Sequence, residues 1–415
     1  MNIITVIGNG FDRHLGYKTG YTDFFKWLFE DREKTTKNIY VEIEEPVNFS
    51  YIVNKDNIRT QKMAGEILHN FKHDNFYYKD ISRINDWWSL YFYEKKNELP
   101  NENWSSIEEK IENILKKSES ENLIKNVRLW NWRYYDLKKE GNPLSFYDYI
   151  RIKNEIFPKK GENVFEYLLS ELKKFEAKFI EYMEEQLSKS DYTFEADKLL
   201  SILKSFAQND CNKRLERKSE KVNIQWEDYI LNFNTILSFN YTGDFINVHG
   251  TIEEKDIIFG IDEKTEVVDG AEIFKKTYRK LFLKQPSEEL PDDCDYILFY
   301  GHSLAPADYS YFLNLFEIYD IYKSGVKLLF FVNDKIYDYN WYNQKELAKN
   351  VDAVYKLIHK AGKDFLGDLK GDNLLHKMQV ENRIQVVKMS EVSGFMDKEE
   401  IAPTSTEEKK VLVPI

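Results

Sequence analysis

Cysteine is nearly missing from this chain: Cys211 and Cys294 are the two thiols in 415 residues. Neither has a second cysteine or histidine nearby at metal-ligand spacing, so neither a disulfide framework nor a structural zinc is written here. Long apolar runs are absent too. Nothing approaches the ~18 consecutive apolar residues that a bilayer span requires, and no membrane partner is expected. The apolar stretch Ile3 to Ile7 is short and leads into glycines, which does not make a secretory leader, so the cytoplasm is the expected location. Positive charge is in deficit, with 59 Lys and Arg against 71 Asp and Glu and a formal net charge of −12. That balance argues against broad contact with a phosphate backbone, and nucleic acid is not an expected partner. The short basic run Lys213 to Lys221 alternates with acids and reads as a solvated helix end. No internal repeat is apparent.

What is present is core-forming material: 42% hydrophobic and 15% aromatic residues mark a globular chain, and the length predicts two or three structural units. The pattern divides into segments. Residues 1–30 read as a buried strand (Ile3 to Ile7), a glycine turn and a helix from about Thr22 to Glu30. From about residue 55 to 230 helical periodicity dominates, with Phe165, Leu168, Leu169, Leu172, Phe175, Phe179, Met183 and Leu187 lining one face of a long amphipathic helix. Short apolar runs return after that at Ile236 to Phe239, Ile257 to Gly260, Tyr296 to Tyr300, Val326 to Val332 and Ile384 to Lys388, separated by helices such as Tyr309 to Tyr322 and Lys345 to Lys360. Buried strands alternating with helices predict an α/β fold, a Rossmann-like, mostly parallel sheet covered on both faces. The expected division is an α/β nucleotide-binding domain from 1–54 and 231–395, a helical insertion from 55–230, and a flexible tail from 396–415.

The stretch "VIGNGFDRHLGYKTGYTDF", residues 6–24, raises the functional question. In an open parallel sheet, the turn after the first strand commonly offers backbone N–H groups to a pyrophosphate. Gly8 and Gly10 fit such a turn. However, Arg13 stands where the dinucleotide fingerprint has its third glycine, and the Gly-Lys-Ser/Thr ending of a P-loop is missing. Three more strand ends carry small or polar residues: Asn240 and His249 in "ILSFNYTGDFINVHG", Gly301 to Ser303 in "ILFYGHSLAPADYSYF", and Asn333 after the fourth run. A nucleotide-sized ligand is expected where those ends meet.

These pieces resemble the AbiH family, named for abortive infection of bacteria by phage: the opening stretch, then "FNYTGDF", "HG", "FGID" and "YGHSLAPAD" in the same order. More distantly they are similar to the sirtuin-like NAD-binding fold. Gly8 and Gly10, with Gly16, take the place of its glycine-rich opening, Asn240 falls in its T-x-N-x-D region, and His249-Gly250 matches its catalytic H-G. Gly301-x-Ser303 with Asn333 takes the place of its ribose and adenine contacts. The resemblance implies that Asn240 and His249 are catalytic. It also implies that Gly8, Asn9, Gly10, Phe11 and Asp12, with Gly301, His302, Ser303 and Asn333, contact NAD. Two isolated cysteines do not supply the zinc module of protein-deacylating sirtuins. Zinc-free sirtuin-like members in phage defence cleave or deplete NAD, so the implied reaction is hydrolysis of the nicotinamide–ribose bond, with NAD as substrate and no metal. His249 is then the base or ribose contact, an imidazole near its reference pKa of about 6.5. Asn240 fixes the water or ribose, and Asp12 orients Asn9 or a hydroxyl.

Other readings stay open. Gly301 to Ala305 resembles a nucleophile elbow, which makes Ser303 an esterase nucleophile; yet His359 and His376, the later histidines, fall in helical patterns. A non-catalytic nucleotide sensor is the other alternative, with the insertion docking a phage or host protein or forming a homo-oligomer. Trp87, Trp88, Trp130 and Trp132 in that insertion read first as core packing, and Asp308 as a helix N-cap.

Overall fold

The computed structural model describes residues 1–29, 83–95, 107–116, 127, 151, 154–159, 161–188, 191–219, 233–283, 289–334 and 340–392. Trp130, Trp132, the 396–415 tail and much of the 55–230 range lie outside the described residues. In chain order, β1 (Asn2–Ile7) leads through Gly8 into α1 (Asn9–His14) and α2 (Tyr21–Phe29). Helices α3 (Trp87–Lys95), α4 (Ile107–Leu115), α5 (Val164–Leu187) and α6 (Tyr192–Ser219) follow. Then come β2 (Phe233–Ser238), β3 (Ile246–Asn247), α7 (Lys276–Lys280), β4 (Tyr296–Tyr300) and α8 (Tyr309–Ile318). The last elements are β5 (Lys327–Val332), α9 (Asn340–Gly371), α10 (Leu374–Val380) and β6 (Ile384–Lys388).

Six strands form one sheet in the order β3-β2-β1-β4-β5-β6, and every pair is parallel. This is the Rossmann-like α/β architecture that alternating strands and helices predict. Successive strand residues point to opposite faces, and both faces are covered, which is why the strands read as unbroken apolar runs. Ile4, Val6, Phe299 and Phe330 pack beneath α8, α9 and α10. Ile3, Leu298, Leu329 and Phe331 pack beneath α6, through Leu199, Leu200 and Leu203. The buried Lys327 ammonium fastens α6 to the sheet, donating to Asp210 at 3.0 and 2.9 Å, and the Tyr296 hydroxyl donates to the same carboxylate at 3.0 Å. A buried cation is tolerated only when paired in this way.

A third core belongs to the helices. Asn163 caps α5 by accepting the Phe165 N–H at 2.8 Å. The apolar stripe of α5 packs on Phe24 and Phe25 of α2 and on Trp88 and Phe92 of α3. Trp87 and Trp88 are core residues, and the Trp88 indole donates to the Leu168 carbonyl at 2.9 Å. The expected strand at Ile257 to Gly260 is not formed. That run is buried, but in this helical core: the Phe259 N–H donates to the Glu176 carboxylate at 2.7 Å and the Ile258 N–H to the His249 carbonyl at 2.8 Å. A short apolar run carries no period that separates a strand from a buried loop. The second strand also begins three residues earlier than expected, at Phe233.

Strand order reverses between β1 and β4, the place where such folds leave a ligand crevice. Here the two turns touch. Gly8 N–H donates to the Tyr300 carbonyl at 3.1 Å and Gly10 N–H to the Gly301 carbonyl at 2.7 Å. A Cβ on Gly10 would stand 2.7 Å from Gly301 Cα, and one on Gly301 only 2.2 Å from Phe11 N. Gly301 also has φ +71°, in the region that favours glycine. Gly301→Ala therefore meets both a backbone clash and backbone strain, and an expected loss of about 2 kcal/mol or more should read as a lower urea midpoint at unchanged slope. A midpoint equal to wild type would mean that the two turns do not touch.

Candidate functional site

Beyond the carboxyl ends of the strands lie two buried polar clusters, one on each side of the turn contact. The first is built on Asp12, in the first turn of α1. Asp12 Oδ1 accepts from the Tyr192 hydroxyl at 2.7 Å and from Asn240 Nδ2 at 3.0 Å, while Oδ2 accepts from the Thr242 hydroxyl at 2.9 Å. Asn240 Nδ2 also donates to the Gly8 carbonyl at 3.1 Å, so this amide ties the end of β2 to the turn after β1. All three donors are neutral side chains, and no cation faces the carboxylate among the described residues. Burial accordingly pushes the Asp12 carboxyl up from its usual 3.8 to about 7, against the opposing effect of those hydrogen bonds.

The second cluster gathers around Lys276 of α7. Its ammonium, fully buried, donates to Asp308 Oδ1 at 2.8 Å and to Glu108 Oε2 of α4 at 2.9 Å. One cation shared by two carboxylates divides them. Burial opposes the charge on both, but Lys276, helped by His302, holds Asp308 well below the usual range. Burial wins at Glu108, which rises to about 7. His249 Nε2 lies 3.5 Å from Asp308 Oδ1, and His302 Nε2 3.4 Å from Asp308 Oδ2. His302 Nδ1 accepts the Leu304 N–H at 2.9 Å. His249 is 3% exposed, and its Nε2 has no hydrogen-bond partner among the described residues. Burial, with Lys276, pushes His249 well below its usual value, which corrects the expectation of an imidazole near 6.5. At neutral pH it is uncharged.

The residues singled out in the sequence are thus distributed as follows. Gly8, Asp12 and Asn240 meet in the first cluster, Gly10 makes the turn contact beside it, and the Phe11 ring packs instead in the sheet core, edge-on to Tyr300. Gly301 joins the first cluster to His302, His249 and Asp308 in the second. The N–H groups of Gly8 and Gly10 face carbonyls of the neighbouring turn, so the glycines serve close backbone approach and are not the phosphate donors expected of them. The Asn9 side chain accepts the Thr19 hydroxyl. Ser303 is exposed beside the contact, and Asn333 follows β5, one strand further out. Asp308 occupies the N-cap position of α8 but makes no capping bond with its side chain, so that expectation is also corrected. His359 and His376 lie inside α9 and α10, as their patterns predict. Sequence reasoning missed Tyr192, Lys276 and Glu108. Each sits in a segment whose spelling matches an ordinary solvated helix, and only their partners reveal them.

Residues 4–331 match the family model described as "Bacteriophage abortive infection AbiH". No curated protein and no solved structure matches the chain.

The raised Asp12 pKa fixes the sign of a pH effect. The folded chain keeps a proton on Asp12 that the unfolded chain releases, so this group favours folding below about 4, and its contribution is lost as pH rises to about 7. Asp12→Asn removes the titration. Relative to wild type, its melting temperature should improve between about pH 4 and about pH 7; a difference that stays constant over that range would show that Asp12 does not titrate there.

Proposed function

The chain belongs to the AbiH family of bacteriophage abortive-infection proteins, which places it in phage defence, and from that premise we propose that it is an effector that binds NAD and hydrolyses its nicotinamide–ribose bond. The observation that carries this reading is that Asn240, tied to the Gly8–Asp12 turn, and His249, beside the Gly301–Asp308 turn, flank the point where strand order reverses, the customary ligand edge of such sheets.

Cleavage breaks the bond from the ribose C1′ to the pyridinium nitrogen. Nicotinamide leaves as a neutral molecule with the bonding pair, water oxygen bonds to C1′, and the water proton passes to a base. His249 serves as that base because burial, with Lys276, keeps its ring uncharged. The two amide hydrogens of Asn240 are tied to Gly8 and Asp12, so its carbonyl oxygen is the atom left to orient a ribose hydroxyl. Asp12, protonated for part of the time near neutral pH, adds a proton donor beside it. With the N–H groups of Gly8 and Gly10 engaged, phosphate recognition falls to side chains at the rim, with Ser303 foremost by its exposure. Domain organisation follows the same reading: the segments outside 55–230 carry the nucleotide, and the helices between them receive the signal of infection.

One observation favours a second reading. Asn240 and His249 are 4% and 3% exposed, a closure that suits a sensor holding a nucleotide without turnover. NAD consumption by the purified full chain separates the two. His249→Ala and Asn240→Ala should each slow consumption by about 100-fold or more, while Ser303→Ala should weaken binding and leave no esterase activity to lose. Either His249→Ala or Asn240→Ala matching wild type would defeat the hydrolase mechanism, and tight NAD binding without consumption would establish the sensor.

A further inference from the structure

Asp308 stands where helix α8 begins, a place at which aspartate ordinarily accepts an N–H of the first helical turn. It does not do so here. Its carboxylate turns inward to three partners: Lys276 Nζ at 2.8 Å, His249 Nε2 at 3.5 Å and His302 Nε2 at 3.4 Å. The two oxygens are divided between the rings, Oδ1 towards His249 and Oδ2 towards His302. Because His302 Nδ1 accepts the Leu304 N–H, the proton of a neutral His302 ring lies on Nε2, the atom that faces Asp308. His249 presents the same ring atom to the same carboxylate. A neutral imidazole has one donor and one acceptor nitrogen, so an anion at Nε2 favours the proton there and leaves Nδ1 as the basic atom.

We propose that Asp308 is the positioning residue of this centre: held ionised by the buried Lys276, its carboxylate sets the ring orientation and the proton position of both His249 and His302. The catalytic part of the claim rests on the reading of His249 as the proton acceptor; the part about ring protonation does not. The arrangement follows the logic of a carboxylate that orients an imidazole while the imidazole, not the acid, takes the proton. The groups facing His249 are Lys276 and Lys280 of α7, Asp308 and Tyr311 at the start of α8, His302 after β4, and Tyr241 after β2. Among the described residues Asp308 is the one carboxylate in that set, against two ammonium groups that oppose a charged ring.

The rival explanation is that Asp308 merely balances Lys276. A pair of full-length variants distinguishes the two: Asp308→Asn, and the double variant Lys276→Met with Asp308→Asn, in which no unpaired cation is buried. Asp308→Asn should lower kcat for NAD consumption about 100-fold, with KM within about threefold of wild type, and the double variant should stay as slow although its melting temperature recovers. In ¹⁵N-histidine spectra of the full chain, assigned with His249→Gln and His302→Gln, the ring nitrogens of both histidines should shift in Asp308→Asn. A double variant restored to the wild-type rate, or ring-nitrogen signals unmoved by Asp308→Asn, overturns the proposal. If the wild-type chain consumes no NAD, the hydrolase reading fails by itself and the ring-nitrogen signals still decide the role of Asp308.

Discussion

A single backbone contact sets the geometry of the carboxyl edge. The turn after β1 and the turn after β4 meet through Gly10 N–H and the Gly301 carbonyl at 2.7 Å, with no side chain on either glycine to hold them apart. Two residues beyond Gly10 stands Asp12, and one beyond Gly301 stands His302, so each polar cluster is anchored to one partner of the contact. Where an open sheet reverses its strand order, the two turns ordinarily diverge and leave a cleft. Here they close on each other. The chemistry-bearing groups are displaced to either side, towards β2 and α6 on one flank and towards α7 and α8 on the other.

The two flanks treat their carboxylates in opposite ways, and the difference is the presence of a cation. Among the described residues Asp12 is met only by neutral donors, so burial dominates and its pKa rises to about 7. Asp308 is buried as well, but the ammonium of Lys276 at 2.8 Å outweighs desolvation and keeps it ionised. Titratable groups driven apart by their surroundings are a recurrent property of acid and base sites. The same Lys276 also meets Glu108, and having satisfied the stronger acid it leaves Glu108 raised. A titrating acid, a permanent anion and an uncharged histidine thus stand within one edge of the sheet.

Much of the frame was legible in the sequence because its cause is local. Strands buried on both faces spell continuous apolar runs, and β1, β4, β5 and β6 were read within a residue or two from that spelling alone. The stripe of α5 was legible for the same reason, since a helix facing one core repeats its apolar residues every three or four positions. Ile257 to Gly260 was misread because a buried loop obeys the same burial rule as a strand when side chains such as Glu176 supply its hydrogen bonds. At the site, Asn240, His249 and the glycines stood out because they follow strand ends. Their partners did not. Lys276 in "FKKTYRK" is spelled like any exposed lysine, and its burial arises from Glu108, 168 positions away, and Asp308, 32 positions away. The engagement of the Gly8 and Gly10 N–H groups was equally hidden, because it depends on how closely β4 brings its turn.

The helical elements are not merely appended to this edge. Tyr192 is the first residue of α6 and supplies the 2.7 Å hydrogen bond to Asp12; Glu108 belongs to α4 and holds the other side of Lys276. Each polar cluster therefore takes one member from the helices between β1 and β2. Buried polar networks lose far more when half satisfied than when whole, so a displacement of α6 or α4 by an ångström or two would be felt at once as an unpartnered carboxylate or ammonium. Withdrawing Tyr192 removes a donor that favours the charged form of Asp12 and raises its pKa further. Withdrawing Glu108 leaves Lys276 to Asp308 alone and tightens that pair. The charge state at the edge of the sheet is in this way set partly by helices that cover other faces of the molecule.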